Sequence, residues 1–380
     1  AAETKWAAVE ADPGSATDDL AARRRRSQVA AEAATLAARW FELAPDDASR
    51  AALVRAGQRA AALALAAPDY PAALTAFGLA LRAAPDDATL ARRVTWLGRI
   101  DDAFRHYTRN EPVAATRMLD AAVADAPEWP EGWLARAQLR DMTGDAAGAL
   151  LDAERALERD PAHAETLELW AHLRERLRRG DPVADWTRAH AASPGDPDVL
   201  YRLASARWTA GDQRGALADL DEAVALRPDE ARFLVDRGHL RLLGGDPGGI
   251  EDMERGLALE PEAAWILRRL GQSYDGLGRR ADAVEALTRA IELDPSEPQQ
   301  YQVLADMHGR AGDIAAAVAV VSRGLAACPG ELDLLRMRVT AFLSQGRHAE
   351  AIDDCDRVLA VEPDPMTLSL RADARRLLGD

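Results

Sequence analysis

The chain has 380 residues, of which 48% are hydrophobic and 29% are charged, and its formal net charge is −16 at pH 7. Residues 1–126 carry a net charge of −1 and residues 127–380 a net charge of −15. A groove that binds nucleic acid needs the opposite sign, so this composition argues against a nucleic-acid partner. The longest apolar run is too short to cross a bilayer, and we expect no transmembrane segment.

At the start of the chain, residues 1–45 are predicted to form an N-terminal segment and one long helix. The helix is expected over residues 17–44, where it docks on the next element and caps the array. Its basic run, Arg23 to Arg26, is interpreted as a solvated helix face, with a docking patch for an acidic partner as the alternative.

Prolines then recur along the chain. The first two intervals, Pro45 to Pro85 and Pro85 to Pro127, are longer than the rest, and residues 46–127 are predicted to hold two divergent, longer helical hairpins. From there each step is 33 or 34 residues, at Pro127, Pro161, Pro194, Pro228, Pro261, Pro295, Pro329 and Pro363. A fixed period of this size is typical of a stacked repeat protein, so residues 128–363 are predicted to form seven regular units.

The unit between Pro261 and Pro295 shows the pattern most clearly. Apolar and small side chains fall three or four residues apart on a first helix, at Leu267, Leu270, Gly271 and Tyr274, and on a second helix, at Ala283, Leu287, Ala290 and Ile291. Gly278 separates the two helices, and Asp294 before Pro295 is pushed out of the helical region and ends the second.

These residues resemble the tetratricopeptide repeat, a 34-residue unit with Trp-x-x-Leu-Gly-x-x-Tyr followed by Gly, Ala, an aromatic residue, Ala and Pro at set offsets. The other units keep the same frame; the one that ends at Pro228, for example, has Leu203, Ala204, Gly211 and Ala216. The resemblance implies an all-α fold, a right-handed superhelical solenoid of about nine helix-turn-helix repeats with end helices. It also implies that the first helices line a concave groove where peptides or helices bind.

Two units are irregular: the one that ends at Pro194, where Gly180 comes late and Pro182 opens the second helix, and the one that ends at Pro261. The run from Gly244 to Gly249 is interpreted as a loosened turn between helices rather than a phosphate-binding loop, because no strand precedes it and no lysine follows it. Residues 364–380 repeat the first-helix pattern and are predicted to be a C-terminal capping helix or the start of a truncated tenth unit.

The residue inventory argues against catalysis and cofactors. Lys5 is the single lysine and Asn110 the single asparagine, so neither a Walker loop nor the lysine and asparagine clamps of known relatives can be built. The closest histidine cluster, His163, Glu165 and His172, does not have zinc spacing, and we expect no metal site. The sequence therefore predicts a protein that is not an enzyme and binds no cofactor.

Residues opposite the packing face of each first helix are the candidates for the groove. Tyr201, Trp208 and Trp265 are the expected anchors, since aromatic side chains concentrate binding energy, whereas Trp133, Trp170 and Trp186 are assigned to the core. The full set of groove candidates is Glu168, His172, Tyr201, Ser205, Trp208, Arg232, Asp236, His239, Trp265, Arg268, Gln272, Asp275, Gln302, Asp306 and Arg336.

The leading functional hypothesis is a non-catalytic scaffold that binds a peptide, a helix or a protein domain in this groove. One alternative is the regulatory or substrate-recruiting arm of a larger enzyme. Another is a periplasmic scaffold of an envelope polysaccharide exporter. The sequence favours the cytoplasm only slightly over the periplasm, and it leaves the partner and the oligomeric state open.

Overall fold

The computed structural model describes residues 20–66 and 68–379, with side chains from Arg25 onward. Every regular element in these ranges is an α-helix, and consecutive helices pair as antiparallel hairpins. The all-α prediction is confirmed. The helices form two compact units, which meet in sequence between Arg227 and Pro228. We call them the N-terminal unit and the C-terminal unit.

The N-terminal unit opens with a helix of 24 residues, α1, whose Ala30, Ala34 and Ala37 pack into one core with Leu53 of the next helix. The expected start of this helix, residues 17–19, lies outside the described residues. So do the side chains of Arg23 and Arg24, while Arg25 is exposed. The helices are α1 Leu20–Leu43, α2 Asp47–Leu65, α3 Tyr70–Ala83, α4 Ala88–Thr108, α5 Pro112–Asp125, α6 Pro130–Met142, α7 Ala146–Leu157, α8 Ala164–Arg176, α9 Pro182–Ala192, α10 Pro197–Thr209 and α11 Gln213–Leu226.

The long proline intervals reflect long first helices. Helices α2 and α4 have 19 and 21 residues, whereas α6, α8 and α10 have 13 each. Our division of the chain at residues 45, 127 and 363 stays a prediction.

The C-terminal unit continues the same alternation in shorter helices. Its helices are α12 Ala231–Leu243, α13 Gly249–Leu259, α14 Ala264–Gly276, α15 Arg280–Leu293, α16 Pro298–Arg310, α17 Ile314–Ala327, α18 Leu332–Ser344, α19 His348–Val361 and α20 Pro365–Leu378. Successive first helices contact each other, α12 with α14, α14 with α16 and α16 with α18, so their free faces form one surface.

A Gly-Asp pair sets the turn inside several hairpins. Gly211 has φ of 86°, a left-handed conformation in which a side chain would be strained. The next residue, Asp212, accepts a hydrogen bond from the Gly215 amide at 2.9 Å and so caps α11. The same arrangement recurs at Gly144 and Asp145, which makes the turn a property of the repeat.

The glycine-rich run contains a close helix crossing. Ideal Cβ atoms built on Gly238 and Gly249 would lie 2.3 and 2.2 Å from the carbonyl oxygen of the other glycine, which is closer than any side chain permits. Helices α12 and α13 therefore cross backbone to backbone at this point. The interpretation of the whole run as a loosened turn is wrong for Gly249, because this glycine belongs to the packed interface.

Two of the three tryptophans that the sequence assigned to the core are buried. Trp170 and Trp186 are buried, as expected. Trp133 is half-buried; its indole N–H donates to the Pro127 carbonyl at 2.9 Å, and two arginines cover its ring. None of the described helices is both long enough and apolar enough to span a bilayer.

Candidate functional site

Three first helices of the C-terminal unit line an open cavity of about 540 Å³ on their shared face. We call this cavity the Asp275 pocket. It is lined by Gln272, Asp275 and Gly276 of α14, by Gln302, Val303, Asp306, Met307 and Arg310 of α16, and by Met337 of α18.

Helical spacing places these side chains together. Gln302, Asp306 and Arg310 are four residues apart on α16, so they lie one above the other on one face. The opposite face of α16 is fixed in the core by Tyr301 and Leu304, which are almost fully buried. The polar row is thus held on a rigid element rather than on a loop.

Arg310 organises the charges of the pocket. Its guanidinium donates to Asp275 on α14 at 2.7 Å and to Asp306 on its own helix at 2.9 Å. The hydrogen bond to Asp275 is the main reason that the pKa of Arg310 rises, although partial burial opposes it. Two carboxylates share one guanidinium, so the pocket keeps an excess negative charge. Asp306 and Arg310 are both exposed, whereas the side chain of Asp275 is only 18% exposed.

The remaining lining gives the pocket two different walls. Gln272 is exposed and Gln302 is half-buried, so their amides can both donate and accept hydrogen bonds. Met307 is buried, and Val303 and Met337 are half-buried, which provides an apolar floor. A cavity with an apolar floor and a few convergent polar groups is the usual form of a binding site.

Trp265 lies elsewhere. It is the second residue of α14 and lines a separate, open cavity of about 880 Å³, which we call the Trp265 hollow. Its ring is 38% exposed. The lining residues are Glu260, Pro261, Glu262, Ala263, Ala264, Trp265, Leu293 and Asp294. The structure therefore brings Gln272, Asp275, Gln302 and Asp306 together and places Trp265 apart from them.

The other candidates of the C-terminal unit are held by neighbouring side chains. Asp236 pairs with Arg269 of the next first helix. His239 is half-buried, and burial, aided by the charge of Arg269, lowers its pKa. Arg232 binds Glu230 at 3.1 Å. Arg268 is half-buried.

Arg336, on α18, binds three carboxylates rather than standing free. Its guanidinium lies 2.7 Å from Glu362 and 3.0 Å from Asp333, with Asp364 at 3.7 Å. It therefore joins α18 to the turn that follows α19.

The candidates of the N-terminal unit differ in their exposure to solvent. Trp208 is 36% exposed and Ser205 is exposed, while Tyr201 and His172 are half-buried. Glu168 is half-buried and accepts a hydrogen bond from the Ser193 hydroxyl at 3.4 Å.

A second set of polar residues recurs in the array and was missed in the sequence. Buried aspartates on second helices accept hydrogen bonds from arginines on the preceding first helices. The pairs are Asp152 with Arg136 and Arg140, Asp185 with Arg174, Asp219 with Arg207, Asp252 with Arg237 and Arg241, and Asp354 with Arg338. The aspartates are spaced by the repeat period, and that regular spacing was the available signal.

A family model for the tetratricopeptide repeat matches this chain in four overlapping segments, residues 201–249, 247–298, 268–331 and 303–366. Residues 201–366 therefore carry tetratricopeptide repeats. The resemblance seen in the sequence is thus confirmed, and the Asp275 pocket lies within the matched tetratricopeptide repeats.

Known proteins are similar to parts of this chain. The human DnaJ homolog subfamily C member 3 is 28% identical over 192 residues, which are 50% of this chain and 34% of that protein. The cellulose synthase operon protein C of Pseudomonas fluorescens is 28% identical over 116 residues, 30% of this chain and 9% of that protein. The matched part of this chain therefore covers about a third or less of the length of these relatives.

A solved tetratricopeptide repeat protein from Parabacteroides merdae has the same fold. It superposes with a TM-score of 0.52 at 17% identity and covers 64% of this chain and 98% of its own. At this identity the likeness shows the architecture of the tetratricopeptide array and nothing about its ligand.

Proposed function

We propose that this chain is a non-catalytic scaffold that binds an extended peptide or a helix of a partner protein on the first-helix face of the C-terminal unit. The Asp275 pocket carries the proposal. It combines an apolar floor, two amide side chains and a partly neutralised pair of carboxylates on rigid helices.

Each part of the pocket suits a different part of a peptide. The amides of Gln272 and Gln302 match the donors and acceptors of a peptide backbone. The floor of Val303, Met307 and Met337 suits an apolar side chain, and methionine adapts to different shapes. The excess charge of Asp275 and Asp306 favours a basic residue beside that apolar one.

A peptide selection tests this proposal. A random-peptide display library is selected on the full chain, and the affinities of the enriched peptides are measured by calorimetry. The variant Gln302→Ala/Asp306→Ala removes exposed or half-buried polar groups of the pocket. It should weaken binding about ten-fold or more, because a lost hydrogen bond costs about 1 kcal/mol and one to a charged group more.

A matched control lies on the neighbouring second helix. Glu285→Ala/Glu292→Ala changes two exposed residues of α15, outside the pocket. This control should bind as the unchanged chain does, and both variants should keep their helical circular dichroism. Equal affinities of the pocket and control variants, or no enriched peptide at all, would refute the proposal.

A second candidate function is a scaffold in an assembly that makes or exports a polysaccharide. The match to the cellulose synthase operon protein C favours it, although that match spans only 116 residues. Co-purification from the native cell with synthesis or export components, lost in the Gln302→Ala/Asp306→Ala variant, would support this role over a free-standing adaptor.

A further inference from the structure

The Trp265 hollow is a further cavity of the C-terminal unit, separate from the Asp275 pocket. The turn between α13 and α14 forms one side, through Glu260 to Ala263, and the end of α15 forms the other, through Leu293 and Asp294. Leu293 is 40% exposed and Trp265 is 38% exposed, so two large apolar side chains face solvent in one cavity. Neither residue lines the Asp275 pocket.

Several other tryptophans of this chain are covered by arginine. Arg93 lies 4.3 Å from the ring centroid of Trp129, and Arg159 lies 4.9 Å from that of Trp133. Such contacts arise because the face of an indole ring attracts a cation. Among the described residues, no guanidinium lies over the ring of Trp265.

The arginine beside the hollow is directed elsewhere. Arg289 of α15 donates to the Pro261 carbonyl at 2.8 Å. This bond engages the guanidinium of Arg289 with the backbone rather than with the indole, so the face of Trp265 is left for another group.

The charge around the ring favours a cation. Glu260, Glu262 and Asp294 line the hollow, and none of them forms an ion pair with a described residue. Asp294 is held by the amide and the hydroxyl of Ser296, at 3.1 and 2.7 Å, whereas Glu260 and Glu262 are exposed. An incoming cation would meet carboxylates from both sides of the hollow, Glu260 and Glu262 on one and Asp294 on the other.

We propose that the Trp265 hollow binds an arginine side chain of a partner protein. The guanidinium stacks on the indole of Trp265, Glu260 and Glu262 accept its hydrogen bonds, and Leu293 contacts its aliphatic stem. Arginine fits better than lysine because a planar guanidinium stacks on an aromatic ring and still presents its donors at the edge. This surface is distinct from the Asp275 pocket and extends the proposed function to a second contact point.

Fluorine NMR tests the assignment on the full chain. The protein is labelled with 5-fluorotryptophan, and the resonance of Trp265 is identified by its loss in Trp265→Phe. The probe is a blocked hexapeptide with a single arginine, and its comparison is the same peptide with citrulline, which has nearly the same shape and no charge. The Trp265 resonance should shift with the arginine peptide at an affinity about three- to ten-fold higher than with citrulline.

The same spectrum contains its own control. The ring of Trp129 is already covered by Arg92 and Arg93, so its resonance should not respond to the arginine peptide. A Trp265 resonance that stays fixed, or that responds equally to arginine and citrulline, would overturn the proposal.

Two double variants distinguish binding in the Trp265 hollow from binding in the Asp275 pocket. Glu260→Gln/Glu262→Gln should weaken the arginine peptide about three- to five-fold, since exposed ion pairs contribute little each. Gln302→Ala/Asp306→Ala, in the Asp275 pocket, should leave the Trp265 response unchanged. A loss in this second variant alone would assign the arginine to the Asp275 pocket and refute the hollow as its site.

Discussion

The buried aspartates offer a sharp test of what holds the hairpins together, and Asp152 is the best placed. It is 2% exposed, and its carboxylate accepts hydrogen bonds from Arg136 at 2.8 Å through both oxygens and from Arg140 at 2.7 Å. Replacing it by alanine removes three charge-assisted hydrogen bonds between α6 and α7. We expect the hairpin to lose about 3 kcal/mol of stability against local unfolding.

The magnitude follows from the surroundings of the two arginines. Breaking a buried ion pair on one side costs about 3–5 kcal/mol when the other charge stays buried. Here the side chains of Arg136 and Arg140 are 13% and 27% exposed, and Arg136 keeps a hydrogen bond to Asp120 at 2.8 Å. Part of the loss is therefore recovered by water and by Asp120, which places the expected cost at the lower end of that range.

Hydrogen exchange is the suitable assay, because a repeat array opens locally and a single unfolding midpoint would mix several hairpins. In Asp152→Ala, the slowest amides of α7 should exchange roughly a hundred-fold faster, which corresponds to about 3 kcal/mol. The matched control is Asp120→Ala, which removes a half-exposed partner of the same Arg136 and should cost under about 1 kcal/mol. Similar exchange rates in the two variants would refute the reasoning.

Three further predictions concern the packing and charge of the C-terminal unit and of Asp219 in the N-terminal unit. In Gly238→Ala the slowest amides of α13 should exchange faster, since the added Cβ would lie 2.3 Å from the Gly249 carbonyl. In Gly309→Ala the slowest amides of α16 should exchange more slowly, because the change removes backbone freedom in open space; equal exchange rates in the two variants would contradict the crossing. Burial opposes ionisation of Asp252, but hydrogen bonds from Arg237 and Arg241 outweigh it and lower its pKa, so its contribution to stability is present above about pH 4 and is lost as the pH falls through its folded pKa. Burial raises the pKa of Asp219, so the folded state gains stability as the pH falls through the folded-state pKa of this carboxyl. Carboxyl carbon NMR should show Asp219 titrating at a higher pH than Asp252. The reverse order would contradict both pKa directions. Trp265→Ala should leave the helical circular dichroism and the cooperativity of unfolding unchanged, because the ring is 38% exposed; lost cooperativity would return it to the core.

The repeat itself was predictable because it is a local property. Proline spacing and the three-to-four-residue period fix where helices begin and end, and both depend on neighbouring residues only. The meeting of Gln272 with Asp306 was predictable for the same reason, since these equivalent positions of successive first helices share a face.

The features that the sequence reasoning missed depend on tertiary contacts. Trp265 was grouped with Gln272, but it lies at the start of α14, where a side chain leans back toward the preceding turn and away from the shared face. The buried aspartates were hidden among the many acidic residues of turns. Gly249 looked like a turn residue because its partner, Gly238, lies in the preceding helix.

The spacing of the buried aspartates has a consequence for the surface proposed to bind a partner. At the repeat positions after Asp252, residues 286 and 320 are alanine and valine, and Asp354 resumes the series. The hairpins α14–α15 and α16–α17, which supply most of the Asp275 pocket, thus pack without that ion pair. Acid that protonates Asp252 should therefore loosen the α12–α13 hairpin without breaking a corresponding pair in α14–α15 or α16–α17, which lack that aspartate.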